Sequence, residues 1–337
     1  MVHVVIVGGS GNVGREIVEE LKAQGKHEIT VFSRKDVPEL ANRGIEVEKI
    51  DYTDSIQLVE ALKGVHTVLS FVSSGENNEP QKTLVDACIA AGVKRFAPSE
   101  WGPKNQPGGL FQFKCDIHEY LKQVNSKQAV LEYCLFQPGI FMNYIAAPHR
   151  TAKYLFITGL FVDLDKKRAI KIDDGNAWEV YTTIQDVAKA VCHAIDYPGQ
   201  WPEIGGMAGS RIQTKDLIKI AETIKGNESQ PGLFLPLIAN EQIILTIGEL
   251  FEVTTVKGED LAAGVVKSSW MPRVDHPSLT PEIREQIGPM VLLSCLRAVQ
   301  NGDTDIEPVW NNLLPEMKFT GVEAFLEGVF RKGEGIY

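Results

Sequence analysis

A lysine stands where an apolar residue belongs in "FQFKCDIHEYL", residues 111–121. The segment reads as one amphipathic helix, with Phe111, Ile117, Leu121 and Val124 marking its buried face. Lys114 falls on that face. Lysine is almost never fully buried without a partner. It snorkels to solvent, pairs with a carboxylate, or faces a ligand. Facing a ligand, its burial would lower its pKa and make it an acid–base group near neutral pH. His118 lies one turn further on the same face. It can touch a substrate, or it can be a hydrogen-bonded core histidine.

A second chemical signal is "VVIVGGSGNVGREIVEEL", which reads as strand, tight turn and helix. Gly9, Gly11 and Gly14 satisfy GxGxxG; Gly8, Gly11 and Gly14 satisfy GxxGxxG. In either register glycines allow the turn, let the backbone approach a pyrophosphate, and let helix pack on strand. The helix start then presents N–H groups to phosphate. Gly8, Gly9, Ser10, Gly11, Asn12, Val13 and Gly14 are therefore the expected phosphate-side residues. An NAD-binding unit carries an Asp or Glu about 20 residues on, for the ribose 2′-hydroxyl. Counting from Gly14, that slot falls at Arg34, in "VFSRKD". Ser33, Arg34 and Lys35 suit a 2′-phosphate, so NADP(H) is expected over NAD.

These residues need a sheet to position them. The first 140 residues alternate between apolar runs ("HVVIVG", "EITVFS", "TVLSFV", "KRFAPS", "VLEYCLF") and helical stretches ("NVGREIVEELKAQ", "SIQLVEALKG", "QKTLVDACIAAG"). "IEVEKIDYTD" adds a further strand. Such alternation implies βαβ units: an α/β, Rossmann-like, doubly wound parallel sheet. Ligands in such sheets lie beyond the carboxyl ends of the strands. Phe71, Val72 and Ser73 would border the adenosine half. Pro138, Gly139, Ile140 and Phe141 would border the nicotinamide, with Asn143 and Tyr144 nearer a substrate. Core packing is the plain alternative for the apolar ones. Beyond about residue 150 the pattern loosens into short strands joined by "DDGN" turn chemistry and helices at "IQDVAKAVCHAI" and "TKDLIKIAETIKG", the latter with Thr214 as expected N-cap. The expected division is residues 1–150 as an NADP-binding domain and 151–337 as a smaller, irregular α/β substrate lobe, with 176–196 able to pack back on the first.

Composition bounds the function. The formal net charge of −10 argues against nucleic acid, which needs a dense basic face. "MVHVVIVGG" is too soon interrupted by glycine to be a membrane span, and no membrane association is expected. Five cysteines without CxxC spacing read as reduced residues of a cytoplasmic protein. The seven histidines are scattered and no metal site is expected. A homodimer is left open.

Ordinary short-chain dehydrogenases carry YxxxK, and none of the eight tyrosines here has a lysine four residues later. "GGSGNVG", "QKTLVDACIAAGVKRFAPSEWG" and "FQFK" together resemble the isoflavone reductase-like branch of the NmrA-like family of atypical short-chain dehydrogenases. "AGVKRFAPSEWG" is the most specific match, although Trp101 replaces the family's phenylalanine. The likeness covers residues 1 to about 145 well and continues weakly through "DGNAWEVYTTIQDVAKAV" and "FTGVEAFLEGVF". Residues 225–315 depart from it. The resemblance implies that Lys114 is the family's catalytic lysine, contacting the nicotinamide ribose and exchanging a proton with substrate. It further implies an NADPH-dependent reductase delivering hydride to a small, aromatic, phenylpropanoid-like substrate. The rival is an NmrA-like NADP(H)-binding redox sensor that regulates a partner without turnover.

Overall fold

In the computed structural model, residues 1–72, 78–107, 111–226, 251–272, 274, 280–333, 335 and 337 are described. The first half alternates β1 (His3–Val7), α1 (Asn12–Gln24), β2 (Glu28–Ser33), α2 (Pro38–Ala41), β3 (Glu46–Lys49), α3 (Ser55–Ala61), β4 (Thr67–Ser70), α4 (Glu79–Ala91), β5 (Arg95–Ala97), α5 (Gln112–Asn125) and β6 (Glu132–Tyr133). Their strands form one parallel sheet in the order β3-β2-β1-β4-β5-β6. Val4, Val5, Ile6 and Val7 of β1 are all fully buried, as a strand covered on both faces requires. Ile17, Val18 and Leu21 of α1 pack on one face. Leu58, Leu84 and Val85 pack on the other, together with Ile117 and Leu121 of α5. Burial of those last two side chains, about 1.5–3 kcal/mol each, fixes α5 against the sheet and so places Lys114.

The second half holds β7 (Leu135–Gln137), β8 (Ile140–Phe141), β9 (Val162–Asp163), β10 (Arg168–Ile172), β11 (Trp178–Thr182), α6 (Ile184–Asp196), β12 (Ile204–Gly206), β13 (Ser210–Gln213), α7 (Thr214–Gly226), β14 (Glu252–Val256), α8 (Gly258–Ala262), α9 (Pro281–Gln300), α10 (Val309–Leu313) and α11 (Val322–Glu327). Small sheets replace the large one: β14-β10-β9, β13-β11-β8 and β12-β7. A separate core of Ile170, Ile172, Leu217, Leu292 and Leu296 holds this half. Helix α6 lies against α1, and its Val187 and Val191 join the core of the first half.

Three sequence expectations need correction. "VLEYCLF" is not one strand. At Cys134 the backbone N–H still bonds Phe96, while that of Leu135 bonds Glu203, so the chain leaves β5 and continues along β12. Helix α5 begins at Gln112, one residue late, which leaves Phe111 exposed rather than on the buried face. Thr214 is the first residue of α7, and its hydroxyl donates to the Glu179 carboxylate.

Candidate active site

The three kinds of glycine in the turn after β1 serve three ends. Gly8 has φ +78°, where side chains are strained, and its N–H bonds the Phe32 carbonyl. Gly9 and Gly14 are needed for close packing. A Cβ on Gly9 would come within 2.8 Å of Ile6, and one on Gly14 within 3.0 Å of the Gly8 carbonyl and 3.1 Å of Phe71. Gly11 is different. Its backbone is extended, at φ −83° and ψ 174°, and a Cβ there would meet only the Gly8 carbonyl, at 3.4 Å. Neither strain nor protein packing asks for glycine at this position, so the opening in front of it fits a group approaching the backbone. Ser10 and Gly11 are exposed, and Asn12 and Val13 open α1 with no side-chain cap and no acidic residue in the first turn. The positive helix end is thus left for an anion.

The strand order reverses between β1 and β4, the crevice where doubly wound sheets take nucleotides. Arg34 and Lys35 follow β2 at its edge. Both are exposed, and the described residues offer neither side chain an ion pair. Ser33 is buried and its hydroxyl accepts the Lys35 N–H at 3.2 Å, which shapes the turn presenting the two cations. Phe71 and Val72 are half-buried after β4; Phe71 lies against Gly8 and Gly14. Ser73 lies outside the described residues.

Phe71 also links the glycine turn to the lysine. It stacks on Trp101 at 4.5 Å between centroids, and Trp101 stacks in turn on Phe136 at 5.4 Å. The Trp101 indole N–H donates to the Ser70 carbonyl at 2.8 Å. Lys114, half-buried on α5, donates from Nζ to the carbonyl of Glu100 and has the Phe111 ring at 5.0 Å. Burial pulls its pKa below the ordinary lysine value, and the negative charge of Glu100 opposes that shift. The Glu100 side chain is buried, at 4 % exposure; its Oε1 accepts from Asn105 at 2.8 Å and from Gln137 at 3.2 Å. The Gln137 Oε1 is buried without a donor, an atom that a polar ligand group or a water would satisfy. Glu100 and Gln137 escape a sequence reading. The glutamate was visible only as one letter of "PSEWG", and the glutamine only as the residue before Pro138.

The remaining expected residues are spread out. Pro138, Gly139, Ile140 and Phe141 are buried; a Cβ on Gly139 (φ +69°) would lie 2.3 Å from the Val180 carbonyl, so this turn is pressed against β11. His118 turns to Glu203, with Nε2 and Oε1 2.7 Å apart, and that hydrogen bond helps to hold the glutamate below its usual range. Asn143 is fully buried. Its amide donates to Thr151 and Gln185, and its Oδ1 accepts the Ile184 N–H at 2.8 Å, so both ends are engaged within the protein. Tyr144 is half-buried and its hydroxyl is pushed up by burial. It lines a small apolar cavity with Ile140, Ile145, Leu160, Phe161 and Tyr181.

Among the described residues no group of three or more His, Cys, Asp or Glu side chains could hold a metal ion, and no helix is long and apolar enough to cross a membrane. The sequence model of the NmrA-like family matches residues 2–326. Oxidoreductase BOA1 of Botryotinia fuckeliana is 34% identical over a stretch covering 69% of this chain and 79% of that protein. The bifunctional pinoresinol-lariciresinol reductase of Forsythia intermedia is 26% identical, with 96% of this chain and 97% of that protein covered. The solved structure of AtPrR2 with NADP+ and (+)pinoresinol superposes with a TM-score of 0.67 at 21% identity, over 97% of this chain and 98% of that one, a likeness of fold.

Proposed function

The chain belongs to the NmrA-like family, and from that premise we propose an NADPH-dependent reductase that delivers hydride to a small, aromatic, phenylpropanoid-like substrate, with Lys114 as general acid/base. The observation that carries this reading is the contact chain Gly14–Phe71–Trp101. It brings an opening fit for a pyrophosphate together with the loop whose Glu100 carbonyl holds the Lys114 ammonium. The names of the relatives add weight: an oxidoreductase at 34% identity, and a pinoresinol-lariciresinol reductase along almost the whole chain.

Bound here, NADPH supplies the hydride; the protein supplies orientation, charge and a dry surrounding. The start of α1 at Asn12 and Val13 would take the pyrophosphate, with Gly11, whose own N–H bonds the Gly8 carbonyl, leaving the space. Arg34 and Lys35 would hold the 2′-phosphate. Phe71 and Trp101 wall the site against water. Lys114, its pKa lowered by burial, would give its proton to the substrate atom that gains negative charge on reduction, and regain one from solvent.

The test is consumption of NADPH with a panel of phenylpropanoids, quinones and simple carbonyl compounds, followed by absorbance. Oxidation driven by a phenylpropanoid, absent in Lys114→Ala, is the expected result. Turnover confined to quinones and indifferent to Lys114 would overturn it. No turnover, with NADPH altering the affinity for a protein partner, would point to a sensor instead.

A further inference from the structure

We propose that Glu100 is the positioning residue of Lys114: its peptide carbonyl aims the ammonium, and its buried carboxylate keeps a negative charge beside it. The carbonyl belongs to the peptide that joins Glu100 to Trp101, so the Trp101 backbone decides where it points. Trp101 has φ +22°, a conformation uncommon for a bulky side chain. It is held there by the indole bond to Ser70 and by stacking between Phe71 and Phe136. Such a residue persists only where its surroundings over-determine it, and the consequence here is a carbonyl turned onto Lys114.

The carboxylate of the same residue is the second half of the device. A carboxylate is almost never fully buried unless paired, yet no described lysine or arginine forms an ion pair with Glu100. Two side-chain amides, from Asn105 in the following loop and Gln137 at the end of β7, donate to its Oε1, which suits an acceptor-only group. The loop is itself tied down. The Lys104 N–H donates to the Asp303 carbonyl at 3.0 Å, Lys104 Nζ to the Asp305 carbonyl at 2.6 Å, and Gln106 to the Asp303 carboxylate at 2.7 Å. Glu100 therefore cannot swing out to water while these contacts hold. Among the described residues, the groups around Lys114 are the Phe111 ring, the Gly102 backbone, Cys115 on its own helix and Glu100. The Cys115 thiol is pushed up by its own burial and by Glu100, and among the described residues Glu100 opposes the desolvation of the lysine most strongly.

The proposal rests on the reading of Lys114 as proton carrier, but its test needs no substrate and fails separately. The Nζ resonance of Lys114, assigned by its loss in Lys114→Arg, is followed through a pH titration of the full-length protein. In Glu100→Gln the midpoint should fall by about one to three pH units, the effect of removing an opposite charge at close range. Glu100→Asp, which keeps the charge, should retain most of the parent midpoint. A midpoint unchanged in a folded Glu100→Gln variant overturns the proposal. Should that variant not fold, the unmodified protein still decides. The carboxyl carbon of Glu100 must shift at the Lys114 midpoint, and a Glu100 signal flat through that range overturns the proposal as well.

Discussion

The glycine turn draws most of what it needs from Ile6 to Val18, with Val31, Phe32 and Phe71 closing it, whereas Lys114 depends on residues scattered from Ser70 to Asp305. In the turn the determinants are backbone geometry: a positive φ at Gly8, close packing at Gly9 and Gly14, open space at Gly11. Around the lysine the determinants are contacts between segments: α5, the loop after β5, the end of β7, and the 303–305 stretch that pins the loop. A site that binds by backbone can be set by a few neighbouring residues. One that must hold a charge part-buried needs tertiary structure to build its surroundings. Nucleotide binding and proton transfer should therefore come apart on mutation.

The largest effect is expected at the lysine. Lys114→Ala should lower turnover by about 10²–10⁴, the usual worth of a positioned acid–base group. Lys114→Arg should not restore it, because guanidinium keeps its proton at any working pH. Steady-state rates on the identified substrate check this. A parent-like rate in Lys114→Ala would reduce the lysine to a structural residue and erase the contrast between the two regions.

A carboxylate outside both regions sharpens the comparison. Glu179 in β11 is fully buried, bonded by the Tyr181 hydroxyl at 2.5 Å and by Thr214, and burial pushes its pKa up to about 7 from 4.5. Unlike Glu100, it has no described lysine against its backbone carbonyl. Its folded pKa lies above its unfolded one, so the folded state binds more protons between them. Its favourable contribution is complete below about pH 4.5 and is lost as pH rises to about 7. At about 1.4 kcal/mol per pH unit, the loss is about 3 kcal/mol. Glu179→Gln should flatten the fall in stability across that window in urea melts. Equal slopes in parent and variant would mean that Glu179 is not buried in its charged form.

The nucleotide side should show the next effect. Among the described residues, Arg34 and Lys35 stand exposed without ion pairs at the end of β2. Arg34→Ala should cut the preference for NADPH over NADH by roughly 10-fold to 150-fold, about 1.5–3 kcal/mol for a charge-assisted contact. The Lys114 titration should not move. Equal affinities for the two nucleotides in the unmodified protein would remove the 2′-phosphate reading.

Legibility follows the same divide. The glycine turn, α1 from Asn12 to Gln24 and the strands of the parallel sheet were readable, because local spacing and buried runs specify them. The change of partner at Cys134 was not, since an apolar run does not say which strand it pairs with. Phe111 shows how a one-residue shift of the helix start turns an expected buried position into an exposed one. Glu100 is hidden for another reason: a glutamate in a loop looks like any surface acid until the fold closes Asn105 and Gln137 over it. Asn143 shows the converse. Its amide reads as a free ligand group in sequence, and folding commits both its ends to Thr151, Gln185 and Ile184.

Calorimetry of NADPH binding to three proteins tests the separation of the two regions most directly. The unmodified chain should bind. Gly11→Val, which fills the opening without straining the turn, should lose binding while its thermal unfolding stays close to the parent's. Lys114→Ala should bind within a few-fold of the parent. Undiminished binding by a folded Gly11→Val, or its loss in Lys114→Ala, would contradict the account.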